Sequence, residues 1–254
     1  MLLGHTLSFS QPLLDRIIPT RPYCVQQPNR MCDSNTRRTQ PPGKRSSSMR
    51  VSIIGAGNVG RALAGTLERA GLDVTIADRD AGEAGAVAAD TGTTAAPSTV
   101  EAARDADVVV LAVPATAYEE IAREAADALA GKVVVDVANR PTPDPERSTS
   151  IAEELQARLP QARVVKAFNT LFASRQSEPV VAGIPADGFV AADDPDAKQE
   201  VMSILDAAGF HPVDAGPLPA ARTLEGMAWL NISRNMRGGT WQDAWKLVGP
   251  EEDR

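Results

Sequence analysis

From residue 49 onward the chain alternates short unbroken apolar runs with stretches whose apolar positions recur every three or four residues. Val51-Ser52-Ile53-Ile54 is such a run and ends in glycine, which predicts a buried strand. After Asn58, apolar residues fall at Val59, Ala62, Leu63, Leu67 and Ala70, the spacing of a helix that Gly71 closes. The same reading predicts a strand at Val74-Thr75-Ile76-Ala77 and a helix over 81–90. A strand follows over 107–113, stopped by Pro114, then a helix from Tyr118 to Leu129. Further strands are expected at 133–137, 163–168, 180–183, 188–192 and 211–213. Further helices are expected at 151–159, 196–208 and 219–235, with a proline-bearing loop over 140–149. Helices set between unbroken apolar strands imply right-handed crossovers and a parallel sheet covered on both faces. The expected fold is α/β, a doubly wound parallel sheet with a helical C-terminal cap, in one domain over residues 49–250.

Charge divides the chain differently. The 254 residues carry a formal net charge of −7, but residues 1–48 hold seven basic and two acidic groups, leaving −12 for the remainder. The first segment has no sustained periodicity and is rich in Pro, Gln and Ser, so it is expected to be a disordered basic extension. Met49, just before the first strand, would make a natural start; a targeting presequence or a basic tail touching nucleic acid are the alternatives. An acidic body repels phosphates, so no nucleic-acid partner is expected. With two histidines and two cysteines, counting excludes zinc sites, iron–sulfur clusters and a disulfide framework, and no metal is expected. No apolar run approaches the ~20 residues that span a bilayer. The expected location is the cytoplasm.

The main chemical motif is Gly55-Ala56-Gly57-Asn58-Val59-Gly60. G-x-G-x-x-G alone is weak evidence, but here it follows a strand and opens a helix, the context that a Rossmann-like dinucleotide site requires. Gly55 permits the tight turn, Gly57 lets a diphosphate approach the backbone, and Gly60 lets helix and strand pack closely. The helix N-terminus then stabilises the anion. The second strand ends at Asp78-Arg79. An acid there suits the ribose hydroxyls of NAD(H), and its charge opposes the extra phosphate of NADP(H), whereas Arg79 can pair with that phosphate. Ala112-Val113-Pro114 and Ala138-Asn139 end two central strands on the edge where ligands bind in such sheets, and Lys166 and Asn169 end a third.

Residues 49–249 resemble the coenzyme F420-dependent NADP oxidoreductases, also described as NADPH-dependent deazaflavin reductases. The resemblance rests on the segment 53–60 with its glycines, on Val110-Leu111-Ala112-Val113-Pro114, on Val165-Lys166-Ala167-Phe168-Asn169-Thr170-Leu171 and on Asp214-Ala215-Gly216-Pro217-Leu218. Family members bind NADP at the matching glycine turn and at a Ser-Arg pair ending the second strand. Arg79 matches that Arg, and Asp78 replaces the Ser. The resemblance further implies that Val113, Pro114 and Ala138 flank the nicotinamide, with a deazaflavin lying over it in a pocket closed by the C-terminal part. Their Rossmann domain is shared with pyrroline-5-carboxylate reductases.

The expected activity is therefore hydride transfer between NADP(H) or NAD(H) and a deazaflavin, coenzyme F420, or a flavin-type acceptor. Both reacting centres are carbons, so no general acid or base is obligatory and no catalytic side chain is named. Two alternatives stay open. A reductase of a small imine or ketone would need a proton donor, with Lys166 pointing at the nicotinamide. A non-catalytic sensor would bind the dinucleotide without turnover. His211 is expected to be structural. Trp229, Trp241 and Trp245 gather near the C-terminus, where such aromatics bury a homodimer interface, line a pocket or pack on the core.

Overall fold

A computed structural model describes residues 49–140, 142 and 148–249. The expected extension over 1–48, and all but a few residues of the expected loop over 140–149, lie outside the described residues.

Strand β1 (Arg50–Ile54), helix α1 (Asn58–Arg69) and strand β2 (Asp73–Ala77) form the first crossover. Gly71 closes α1 at φ 82°, a left-handed conformation that suits glycine. Helix α2 (Ala81–Thr91) leads to a two-residue edge strand, β3 (Thr94–Ala95), and α3 (Thr99–Asp105) leads to β4 (Val108–Leu111). Then come α4 (Tyr118–Leu129), β5 (Val133–Asp136), α5 (Ile151–Arg158) and β6 (Arg163–Lys166). A short α6 (Ala173–Ser177) and a hairpin of β7 (Val180–Val181) and β8 (Ile184–Pro185) follow. The chain finishes with β9 (Asp187–Ala192), α7 (Pro195–Ala207), β10 (His211–Gly216) and α8 (Ala221–Asn235).

One eight-stranded sheet runs β10-β9-β6-β5-β4-β1-β2-β3. Alternate residues of each strand serve opposite faces. Ile53, Val110 and Val135 pack with Leu63 and Leu67 of α1 and Val201 and Leu205 of α7. Ile54, Val109, Leu111 and Val134 pack with Ile121 and Leu129 of α4 and Leu155 of α5. Each such side chain is worth about 1.5–3 kcal/mol on full burial, which is why both faces are covered.

The sheet is mostly parallel, as the expected doubly wound fold has it, with one antiparallel pairing. β9 pairs antiparallel with β6 through Lys166 and Ala191, and β10 runs parallel to β9. A parallel neighbour for β6 would need a crossover back to the opposite edge. The five residues of α6 and the small hairpin do not make that return, so β9 re-enters from the edge where β6 leaves. Residues 180–183, expected as one strand, are half a hairpin. Ala182 (φ 50°) and Gly183 (φ 82°) are both left-handed, as a two-residue hairpin turn demands.

The start of α8 is anchored on α5. Arg222 pairs with Glu153 and holds its carboxyl down at about 2 from an ordinary 4.5, while Glu225 Oε1 accepts from Ile151 N at 2.8 Å. The tail after α8 is tied back by Asp187, a fully buried carboxylate. It accepts from Lys246 Nζ (2.7 Å) and Leu247 N and pairs with His211 Nδ1 (2.7 Å). His211 is thus a tether between β10 and the start of β9. No helix among the described residues is long and apolar enough to cross a membrane.

Candidate functional site

The strand order reverses between β1 and β4, and the carboxyl ends of these two strands flank the switch point at which open α/β sheets bind ligands. The glycine turn, residues 55–60, lies there. Gly55 takes φ 114°, and a β-carbon on it would meet Ala112 O at 2.4 Å. A β-carbon on Gly60 would lie 1.8 Å from Gly55 O. Gly57 is different: nothing stands within 4 Å of where its β-carbon would be. Gly57 is the N-cap of α1 and no side chain caps that helix, so its first N–H groups face outward with the positive end of the dipole. Asn58 and Val59 are its first two residues.

Asp78 is half-buried beside this turn. Its Oδ2 accepts from Ala56 N at 2.7 Å and its Oδ1 from Asp80 N at 3.0 Å. The carboxylate therefore braces the glycine turn against the end of β2, and each oxygen keeps a further lone pair. Arg79 is exposed and makes no hydrogen bond or ion pair among the described residues.

Along the same edge, Ala112 and Val113 are half-buried and Pro114 is exposed at the end of β4. Ala138 is buried after β5, and its peptide is gripped on both sides. Its N–H donates to Asp136 Oδ1 at 2.9 Å, and its carbonyl accepts from Lys166 Nζ. Lys166 and Asp136 are both fully buried and meet at 2.8 Å. Glu225 Oε1 lies 3.4 Å from Lys166, and Tyr118 OH donates to Asp136 Oδ1 at 2.5 Å. Burial and the Asp136 charge push the Tyr118 hydroxyl well above its ordinary range, and burial raises Glu225 against the pull of Lys166. All three ammonium donors of Lys166 are engaged, which weakens its role as a substrate proton donor. Sequence reasoning named Lys166 but missed Tyr118, Asp136 and Glu225. The available signal was register: Asp136 and Lys166 are the charged ends of adjacent apolar strands and sit directly opposite one another.

Asn139 and Asn169 interlock. Asn139 Nδ2 donates to Asn169 O at 2.8 Å, and Asn169 Nδ2 donates to Asn139 Oδ1 and Leu224 O, both at 3.0 Å. Around this contact, three buried polar oxygens have no partner: Asn169 Oδ1, Thr170 Oγ1 and Gln176 Oε1. An unpaired buried group costs about 1–3 kcal/mol, so a cluster of them at the ligand edge marks a place where a ligand's donors fit. The residues therefore fit a dinucleotide at two points, an open anion cradle at Gly57 and orphaned acceptors beyond β6.

A groove of about 690 Å³ lies between the β7–β8 hairpin, the end of α8 and the tail, lined in part by Ile184, Leu230, Arg234 and Trp245. None of the residues named above for the dinucleotide lines it. Of the three tryptophans, Trp245 lines this groove, Trp241 packs edge-on against Phe172, and Trp229 is half-buried on α8.

The family model for coenzyme F420-dependent NADP oxidoreductases matches residues 50–140, the part that contains the glycine turn, Asp78, the end of β4 and Ala138. The F420-dependent NADP reductase of Methanothermobacter thermautotrophicus is 30% identical over 211 residues, which cover 74% of this chain and 90% of the relative. The chain belongs to the coenzyme F420-dependent NADP oxidoreductase family. That membership places it among NADP-dependent oxidoreductases. A solved structure from Arthrobacter sp. FB24, provisionally assigned as an F420-dependent NADP reductase, superposes with a TM-score of 0.72 at 30% identity. It covers 80% of this chain and 100% of that one. Metalloreductase STEAP3 of Rattus norvegicus is 34% identical over 183 residues, 69% of this chain and 36% of the relative. This chain spans about a third of that protein's length.

Proposed function

We propose that this protein transfers a hydride between a nicotinamide dinucleotide held at the glycine turn and a small-molecule deazaflavin or flavin-type acceptor, with coenzyme F420 as the acceptor favoured by kinship. The observation that carries the reading is the uncapped N-terminus of α1 at the switch point, where Gly57 opens onto empty space. There the backbone N–H groups of residues 57–60 and the helix dipole hold the diphosphate. Ala112, Val113, Pro114 and Ala138 offer a wall of small and apolar groups against which a flat ring can lie, with Asn139 at its margin. Bound there, the dinucleotide supplies the hydride. The chain's own task is to align two rings and keep water out, which needs no proton-moving side chain. The similarity to F420-dependent NADP reductases supports the pairing of NADP(H) with F420. The test is to titrate NADH and NADPH and then assay oxidation of the tighter one with F420 and with flavins; oxidation by neither acceptor ends the proposal.

Asp78 opposes the 2′-phosphate of NADP(H), and Arg79 favours it. Replacing Asp78 by Ser removes the repulsion and is expected to raise the NADPH-over-NADH affinity ratio by about tenfold or more. Calorimetric titration of both dinucleotides checks this, and an unchanged ratio removes the charge argument.

The protein is further proposed to work in the cytoplasm as a homodimer. Val180, Ile184, Leu230, Leu247 and Val248 are all exposed apolar side chains near the groove, a patch of the kind that a second copy covers. Sedimentation is expected to give twice the chain mass, and a single-chain mass would refute the dimer.

A further inference from the structure

Asn169 lies in the turn after β6 and is 4% exposed. Its hydrogen bonds fix which way its amide points. Leu224 O is a carbonyl and can only accept, so the group that faces it is Nδ2. Asn169 O likewise obliges Asn139 to present Nδ2 to it, which leaves Asn139 Oδ1 to accept from Asn169 Nδ2. Both Nδ2 protons of Asn169 are thus used, and Oδ1, on the other side of the planar amide, is left buried with no donor.

The turn that presents this oxygen is held in a costly shape. Phe168 sits at φ 60°, in the left-handed region that side chains other than glycine rarely adopt. Gln176 clamps the turn by donating from Nε2 to Phe168 O and Leu171 O, both at 3.2 Å, and α1 ties in from the other side through Thr66 Oγ1 donating to Gln176 O at 2.7 Å. The molecule therefore spends backbone strain and an unmade hydrogen bond in one place. That place adjoins Asn139, the residue after the gripped Ala138 peptide. A ligand group that meets it must bring an N–H or O–H donor on a small planar body that fits beside a peptide wall.

We propose that Asn169 Oδ1 reads the carboxamide N–H of the nicotinamide, fixing which way the ring faces against Ala138. This rests on the proposed dinucleotide site. Asn169 is in this sense a positioning residue, with Asn139 and Leu224 holding its amide in orientation.

The 3-acetylpyridine analogue of the tighter-binding dinucleotide supplies the test, because it replaces the carboxamide NH₂ by a methyl group and keeps the rest. The wild-type protein is expected to bind the analogue about tenfold more weakly by calorimetry. In Asn169→Ala that ratio is expected to fall to near one, while ADP-ribose (with its 2′-phosphate if NADP(H) is preferred) binds both proteins alike. Equal binding of dinucleotide and analogue by the wild type overturns the proposal whether or not the variant folds. A tenfold ratio that persists in Asn169→Ala also overturns it, since another group then reads the amide. Failure of the wild type to bind the ADP-ribose fragment is a separate result, which removes the dinucleotide site itself.

Discussion

Replacing Lys166 by methionine is expected to destabilise the fold by about 3–5 kcal/mol, seen as a large fall in the urea midpoint. Lys166 and Asp136 are fully buried, with Glu225 close by. Methionine fills much the same space but leaves Asp136 with only Tyr118 OH and Ala138 N for partners, a desolvated carboxylate without a countercharge. The cost arises from the abandoned partner more than from the lost pair, and a second substitution separates the two. Asp136→Asn keeps an oxygen for Tyr118 and Ala138 while removing the charge, so the double variant is expected to be more stable than Lys166→Met alone. A double variant no more stable than the single one would mean that the ion pair is not what the residues contribute. The Ala138 carbonyl loses its donor in either variant, so the wall proposed for the nicotinamide should loosen in both.

This network also shows where sequence reading reaches its limit. The strands of the sheet's centre were legible because an unbroken run such as Val108-Val109-Val110-Leu111 has few uses other than burial on both faces. The helices α1 and α4 were legible from periodicity and closing glycines. Helix α3 was missed, although Ser98 caps it by accepting from Glu101 N at 3.2 Å and the Ser-x-x-Glu spacing was there to be read. Its length of seven residues gave no periodic signal to go with the cap. The reversal of β9 was not legible, because strand direction depends on whether the connection returns across the sheet. That depends in turn on how far residues 167–186 extend, which composition does not express. At the site, Asp78 illustrates a different gap. Its position after the second strand was evident, but its bonds to Ala56 N and Asp80 N belong to the folded turn and have no one-dimensional trace.

Two of the motif glycines, Gly60 and Gly57, are expected to separate into structural and ligand-facing roles when each is replaced by alanine. Gly60→Ala should destabilise the protein, although alanine is the better helix former by about 1 kcal/mol, because its β-carbon would fall 1.8 Å from a backbone oxygen that cannot rotate away. Gly57→Ala should fold normally. Gly57 sits at φ −68° and ψ −172°, open to any residue, and the loss from placing alanine at an N-cap is about 1 kcal/mol or less. Its methyl would instead project into the space above the first N–H groups of α1, where a diphosphate held as proposed would have to approach. Overpacking of that kind costs about 1–3 kcal/mol, which is about 5- to 150-fold in dinucleotide affinity. Urea unfolding and calorimetry on the two variants distinguish the effects: Gly60→Ala should move the unfolding midpoint, and Gly57→Ala should move the binding constant alone. Undiminished binding by a folded Gly57→Ala would mean that the anion does not approach this turn, since no other consequence of that methyl is available to hide the effect.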